Sequence, residues 1–354
     1  MRHQAKYLLS CLSLTPLLFA ALQATDARAE TLRAQNLGGE ILLVETAEGP
    51  VVERPVDEGA GAEGPAVRRV ALPNAAFTDL QARGELWWAA GVEKRGDGAL
   101  GLVLVAGRGE RAENLAVPAT PGPRVLDPVL LAGESGPRTL AWLEGVAHDR
   151  LAVKASRLQD GTWSEPIDVS PPGPGSQLAL TAAELEGGDW LLAWAAFDGR
   201  DDEILWSRLS GGVWSEPAAA ARGNSVPDIT PALAAVPGGA LLVWSRYDGN
   251  DYRLELARFD GEGFSRPRTI GPKSSLMPSF QKKGGTALLV YRTAVPERTW
   301  TVDELDPRGK VLRRASSTEP RPERPLVTAV DEKGIELAWP GLPAVKAARA
   351  SWVE

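Results

Sequence analysis

Short apolar runs that end in an aromatic residue recur along the chain. Residues 85–88 read ELWW, 139–142 TLAW, 190–194 WLLAW, 240–244 ALLVW, 287–291 ALLVY and 335–339 IELAW. The closing aromatics are Trp88, Trp142, Trp194, Trp244, Tyr291 and Trp339, at spacings of 54, 52, 50, 47 and 48 residues. Between these runs the polarity alternates, as where Leu254 and Leu256 interleave with Arg253 and Glu255. Gly238-Gly239, Asp260-Gly261 and frequent prolines punctuate the pattern. Runs this short, rich in branched and aromatic side chains and bounded by turn formers, predict strands. No apolar stripe at helical spacing persists, so the many alanines do not build helices.

A second marker keeps step with the first. Trp163-Ser164-Glu165-Pro166 returns as Trp214-Ser215-Glu216-Pro217 and as Phe264-Ser265-Arg266-Pro267, 51 and 50 residues apart. Each copy trails the preceding repeat aromatic by 20 or 21 residues. Within residues 227–270 the turn signals cut out four strands, around 230–236, 240–246, 252–259 and 264–270. Six repeats of four strands predict an all-β, six-bladed β-propeller of four-stranded antiparallel blades. A lone sheet cannot bury both faces, and a recurrent indole supplies the apolar area between stacked sheets. Residues 41–56, ILLVETAEGPVVERPV, resemble the late part of a repeat (254–267). The N-terminal strands in 41–56 and a C-terminal strand near 345–352 are therefore expected to close one shared blade and remove open edges. The glycine-rich stretch 57–70 reads as a linker, within a single propeller domain spanning 30–354.

The first residues change the compartment. Arg2 and Lys6 precede the apolar run 7–22, and Ala27-Arg28-Ala29 follows it. That is the layout of a secretory signal peptide over residues 1–29, which makes the protein periplasmic or secreted, with no stable membrane insertion after cleavage. The formal charge of −7 becomes −9 once Arg2, Lys6, Arg28 and Asp26 are removed. An acidic chain with no basic run argues against nucleic acid as a partner. The single cysteine, Cys11, lies in the leader, so the mature chain forms no internal disulfide or thiolate site. Its one histidine, His148, excludes clustered-histidine zinc sites. A ring that satisfies its own edges is expected to be a monomer.

The turns from third to fourth strand carry a resemblance. Residues 156–163, SRLQDGTW, and 207–214, SRLSGGVW, look like degenerate copies of the Asp-box, Ser-x-Asp-x-Gly-x-Thr-Trp, of sialidase-like (BNR) propellers. Ser156 and Ser207 match its serine, Trp163 and Trp214 its tryptophan, Thr162 its threonine and Gly211 its glycine. Leu158 and Leu209 stand where the box has its aspartate, and Asp160 where it has its glycine. The copy at 257–264 keeps only Gly261 and the aromatic Phe264. The resemblance implies a propeller. It also implies an arginine clamp and a tyrosine–glutamate pair in an active enzyme, and no such residues match here. Tyr291 replaces a core tryptophan, and Tyr252 and Glu255, three apart on a strand, face opposite ways.

Candidate chemistry gathers on one face. In four-stranded blades the loops from strand four to the next strand one, and from two to three, share an end of the ring. Asp127, Asp228 and Asp331 are expected near the starts of inner strands. Asp198, Asp201, Asp202, Glu203, Asp248 and Asp251 fall in two-to-three loops, with His148 and Asp149 in the equivalent loop of another blade. Paired carboxylates there would suit glycoside hydrolysis, while Asp and Gly in such loops equally serve as turn formers. Residues 198–202 and 248–251 suit calcium by composition but lack the spacing of an EF-hand loop, and no cofactor is expected. Tyr247 and Tyr252 flank the same face, and aromatics with polar neighbours suit sugars or peptides. Phe197 and Trp206 read as packing between blades. The expected function is binding of a glycan or protein ligand without catalysis. The alternative is a glycoside hydrolase using carboxylates near the central channel.

Overall fold

The computed structural model describes residues 31–35, 41–46, 48–56, 66–147, 150–170, 175–197, 199–221, 224–283, 286–294, 298–317, 324–339 and 348–353. The predicted leader, His148, Asp149 and Asp198 lie outside them. The strands form seven antiparallel sheets, built from residues 31–71, 76–115, 125–170, 177–219, 228–270, 275–316 and 326–351, here blades 1 to 7. First strands of successive blades touch one another from blade 1 to blade 7, so they line the centre of the ring.

The six-bladed expectation is therefore corrected to seven. The blade missed is the first. Its second strand, Leu42–Thr46, is buried but carries no aromatic, so it escaped a count based on aromatics. The shared closing blade is also corrected. Residues 41–56 pair within blade 1, whose four strands follow chain order, and residues 66–70 of the expected linker belong to its fourth strand, Ala66–Ala71. Blade 7 has three strands of its own among the described residues. The two ends of the chain meet through packing of Leu326 on Leu42 and Val44.

Trp142, Trp194, Trp244 and Tyr291 are completely buried. Each joins a cluster with apolar residues of the preceding blade. Opposite each of them the first strand carries a two-residue bulge: Asp127-Pro128, Ala179-Leu180, Thr230-Pro231 and Met277-Pro278. The leading residue of each bulge is left-handed, with φ of 45°, 54°, 51° and 58°. Such a conformation costs an ordinary residue roughly 1–3 kcal/mol. Its return in four consecutive blades makes it part of the repeat, and bulges of this kind re-aim side chains.

The second marker is a turn staple. Ser164 and Ser215 accept the backbone N–H of Arg157 (3.1 Å) and Arg208 (3.0 Å), while Ser156 and Ser207 donate to the carbonyls of Ser164 and Ser215. Ser265 repeats the first bond with Arg258, and Ala257 lacks the hydroxyl for the second. Trp206 packs edge-on against Phe259 and Phe264 of the next blade.

Candidate functional site: the rim of blades 4 and 5

At most blade-to-blade steps polar groups of the first two strands are occupied in holding neighbours. Asp79 Oδ2 accepts the N–H of Leu130 in the next blade at 2.7 Å. Asp127 accepts the N–H of Ala179, one blade further on. Ser245 accepts from Met277 at 3.1 Å, and Gln281 bridges to Val327 and Pro325. Burial lifts the carboxyl of Asp79 to about 6 against the bonds from Leu130, Gln81 and Leu80, and burial also raises Asp127. In both, desolvation of the charged form outweighs the donors that favour it. At the far end of these strands Arg83 of blade 2 reaches past blade 3 to pair with Glu184 of blade 4.

A denser network lies between blades 4 and 5, at the end carrying the two-to-three loops. Asp228 opens the first strand of blade 5, Asp228–Val236, and is fully buried. Its cross-strand partner Arg246 holds it in a two-point contact, Nε to Oδ1 at 2.7 Å and Nη2 to Oδ2 at 2.8 Å. Glu255, buried on the third strand, stands 3.8 Å from Arg246 and accepts from Thr269. Asn224 Nδ2 bonds Asp228 at 3.0 Å and reaches Glu203 of blade 4 at 3.5 Å, so two carboxylates converge on one nitrogen. The bond to Asp228, followed by the fields of Asp228, Glu255 and Glu203, outweighs burial and strengthens the charge on Arg246.

Trp244 lies under this guanidinium, 5.9 Å from ring centroid to Arg246 Cζ. In blade 4 the corresponding Trp194 donates to Gln177 at 2.7 Å, and Gln177 holds the place of Asp228. In blade 3 Trp142 donates to Glu144 at 2.8 Å. In blade 5 Asp228 is turned to Arg246, and the fully buried Nε1 of Trp244 has no acceptor among the described residues.

Tyr247 and Tyr252 close the hairpin above the network. They pair across the strands with ring centroids 5.0 Å apart, and both are half-buried. Asp248 and Asp251 act in the turn between them. Asp248 Oδ1 accepts the N–H groups of Asp251 and Asn250, and these bonds, aided by Arg253, lower its carboxyl to about 2. Asp251 accepts from Tyr252 N–H and from Ser274 of blade 6.

The structure thus gathers Asp228, Tyr247, Asp248, Asp251 and Tyr252 at one rim, with the buried Asp201 on the facing loop of blade 4. Asp127 lies apart, on the first strand of blade 3. Asp331 is corrected: it lies in the turn between the first two strands of blade 7, paired with Arg349. Asn224, Arg246 and Asp79 were missed from sequence. Among the described residues no group of three or more potential metal ligands is assembled. No described helix is long and apolar enough to cross a membrane.

No protein-family model matches the chain, and no curated protein matches it. Solved structures do. A polysaccharide lyase of family PL25, an ulvan lyase bound to -[GlcA(1-4)Rha3S]-, is 10% identical over 92% of this chain and 94% of its own, with a TM-score of 0.55. A protein of unknown function from Dyadobacter fermentans is 13% identical over 92% and 98%, with a TM-score of 0.51. A putative TolB from Agrobacterium tumefaciens is 15% identical over 74% and 89%, with a TM-score of 0.47. The sialidase-type reading of the repeats is overturned by the count of seven blades and by a likeness that runs to a lyase fold over nearly the whole chain. At these identities the likeness establishes the fold alone, an all-β propeller of seven mostly four-stranded blades.

Proposed function

We propose that the protein is an exported, carbohydrate-active propeller that takes a glycan on the rim of blades 4 and 5. The observation that carries this reading is the half-buried Tyr247–Tyr252 pair at the loop end of blade 5, on the hairpin whose other face carries Arg246. Sugar rings present C–H faces that pack on aromatic planes, and hydroxyls that both donate to carboxylates and accept from amides and guanidinium groups. The likeness to a polysaccharide lyase fold is in keeping with this reading. A leader at residues 1–29 would deliver the mature chain outside the cytoplasm, where polysaccharides are met.

Cleavage of the bound glycan is a second reading, and a specific observation favours it. Asp79 and Asp127 occupy first strands of blades 2 and 3, apart from the rim of blades 4 and 5, so this reading requires a glycan long enough to run from the rim to those strands; burial raises both carboxyls, Asp79 to about 6. A carboxyl in that range can deliver a proton to a leaving oxygen near neutral pH. Purified mature protein is tested by affinity electrophoresis against a polysaccharide panel, with reducing-end release and the ultraviolet absorbance of unsaturated ends measured on any polymer that binds. Retardation without products supports binding alone. Products lost in Asp79→Asn while retardation persists support cleavage. No retardation and no products from any polymer would sink the carbohydrate reading.

A further inference from the structure

We infer that a pocket between blades 3 and 4, at the end of the ring opposite the two-to-three loops, binds a small carboxylate attached to an apolar group. This site is separate from the glycan rim and stands whether or not the rim takes a glycan.

The pocket has a volume of about 40 Å³. That is room for roughly three water-sized spheres, enough for a carboxylate and too little for a sugar ring. Alternation along facing strands sets its walls. Thr139 and Arg157 pair across the second and third strands of blade 3, on the face that Ala141 and Ala155 turn to blade 4. Leu209 and Trp214 pair in blade 4 and face back toward blade 3. Ile167, 53% exposed, also lines the pocket. A Cβ at Gly212 would collide with Nη1 of Arg157, so the missing side chain lets the guanidinium lie against the turn of blade 4.

Three donors in this lining are unspent among the described residues. They are the guanidinium of Arg157, the hydroxyl of the buried Thr139 and the indole N–H of Trp214. Trp163, the counterpart of Trp214 one blade earlier, donates to the carbonyl of Ala116 at 2.8 Å. No acidic residue lines the pocket, and the acidic neighbours along the chain, Asp160, Glu165 and Glu216, are exposed.

The next gap shows what such an arginine takes. Arg208 is the counterpart of Arg157, since each follows a staple serine and has its N–H held by the second serine. Arg208 grips Asp189 through Nε at 3.0 Å and through Nη2, and gives Nη1 to the carbonyl of Gly261 on the turn of blade 5 at 2.7 Å. Asp189 lies two residues before Leu191, the cross-strand partner of Arg208. Two residues before Thr139, the cross-strand partner of Arg157, stands Pro137. One gap further on, Arg258 is spent on the carbonyls of Gly238 and Pro307. Blade 3 thus keeps the arginine and lacks the internal acceptor, and a guest carboxylate supplies what Asp189 supplies in blade 4. The planar fork of a guanidinium matches two carboxylate oxygens. A phosphate dianion asks for more donors than one arginine and two neutral groups, on a chain of net charge −7. The apolar part of the guest packs on Ile167, Leu209 and Trp214.

Saturation-transfer NMR on the mature protein tests this with phenylacetate, phenylacetamide, inorganic phosphate and a short peptide ending in phenylalanine, as free acid and as amide. Phenylacetate should bind with Kd on the order of 1 mM, and phenylacetamide and phosphate should bind about tenfold more weakly or worse. Arg157 is exposed and Pro137 half-buried, so changes there spare the core. Arg157→Gln should abolish binding of phenylacetate. Pro137→Asp places in blade 3 the carboxylate that blade 4 has, and should weaken phenylacetate by about tenfold with Arg157 still present. Binding of the peptide acid but not its amide makes a chain terminus one source of the carboxylate; binding of phenylacetate alone restricts the source to free small acids; either supports the site. No binding of either acid at about ten times that concentration overturns the inference. So does equal binding of phenylacetamide or phosphate, or undiminished binding of phenylacetate in Arg157→Gln or in Pro137→Asp.

Discussion

Arg246 and Asp228 face each other across the first two strands of blade 5, with both carboxylate oxygens engaged and the carboxylate wholly removed from solvent. A buried pair of this kind is costly to break from one side, because the survivor keeps its charge without its partner. Arg246→Met should therefore destabilise the protein by about 3–5 kcal/mol in urea unfolding. Asp228→Asn in the same background should recover a large part of that loss, since the stranded charge is gone. If the double variant is no more stable than Arg246→Met alone, the charge of Asp228 is not what the arginine compensates.

The repeat tryptophans offer a comparison in which packing is nearly constant and hydrogen bonding differs. Trp194 Nε1 satisfies the buried Gln177, whereas Trp244 Nε1 has no acceptor among the described residues. Phenylalanine at either site trims an indole to a phenyl ring, but only Trp194→Phe leaves a buried acceptor unmet. An unmet buried group costs about 1–3 kcal/mol, so Trp194→Phe should be less stable than Trp244→Phe by about 1 kcal/mol or more. Equal losses in denaturant melts would mean that the bond to Gln177 contributes nothing net.

Blades 3 to 6 were legible in the sequence because their second strands carry, within the strand, an aromatic that faces the preceding sheet. Blade 1 was not, because Leu42 and Val44 of its second strand fill the corresponding gap, toward blade 7, with aliphatic side chains. Blade 2 was found through the wrong residue. Trp87 packs toward blade 1, while the counted Trp88 packs toward blade 3. One position along a strand reverses the face, and a count by spacing does not resolve adjacent tryptophans. The site was partly legible for the same reason. Loop carboxylates and tyrosines stand out beside turn signals, so Asp228, Tyr247 and Asp248 were found. Arg246 becomes a partner of Asp228 only through a strand register set by the bulge at Thr230-Pro231. Asp79 looked like an ordinary polar residue of an alternating strand, and its burial depends on blade 3 standing beside it.

The Trp87 face also explains a glycine. Trp87 pairs across the strands with Gly107, and a Cβ at Gly107 would lie 1.9 Å from Cζ2 and 2.0 Å from Cε2 of the indole. The ring is almost fully buried and part of the blade 1–2 core, so it cannot swing into solvent. Gly107→Ala should lower stability by about 1–3 kcal/mol through overpacking, even though alanine is otherwise acceptable in a strand. Gly107→Ala combined with Trp87→Leu should lose less than the sum of the two, because the smaller side chain removes the clash. Strict additivity in thermal or urea melts would show that the indole does not set the requirement for glycine.

Asp79 gives the protein a pH response with a definite sign. Its folded carboxyl titrates near 6 against an ordinary value of 3.8, because burial penalises the charged form. The unfolded chain therefore loses this proton before the folded one does, and stability from Asp79 is full below about pH 4 and lost as the pH rises through 6. Asp248, held near 2 by the N–H groups of Asp251 and Asn250, acts in the opposite sense and only at far lower pH. Asp79→Asn keeps an acceptor for Leu130 and removes the titration. Between pH 7.5 and 5 the difference in unfolding free energy between wild type and Asp79→Asn should shift in favour of wild type by on the order of 1–2 kcal/mol. The measurement is urea unfolding of both proteins across that range. A difference that stays flat with pH, or moves the other way, would mean that the carboxyl is solvated in the folded ring and that blade 3 does not desolvate it.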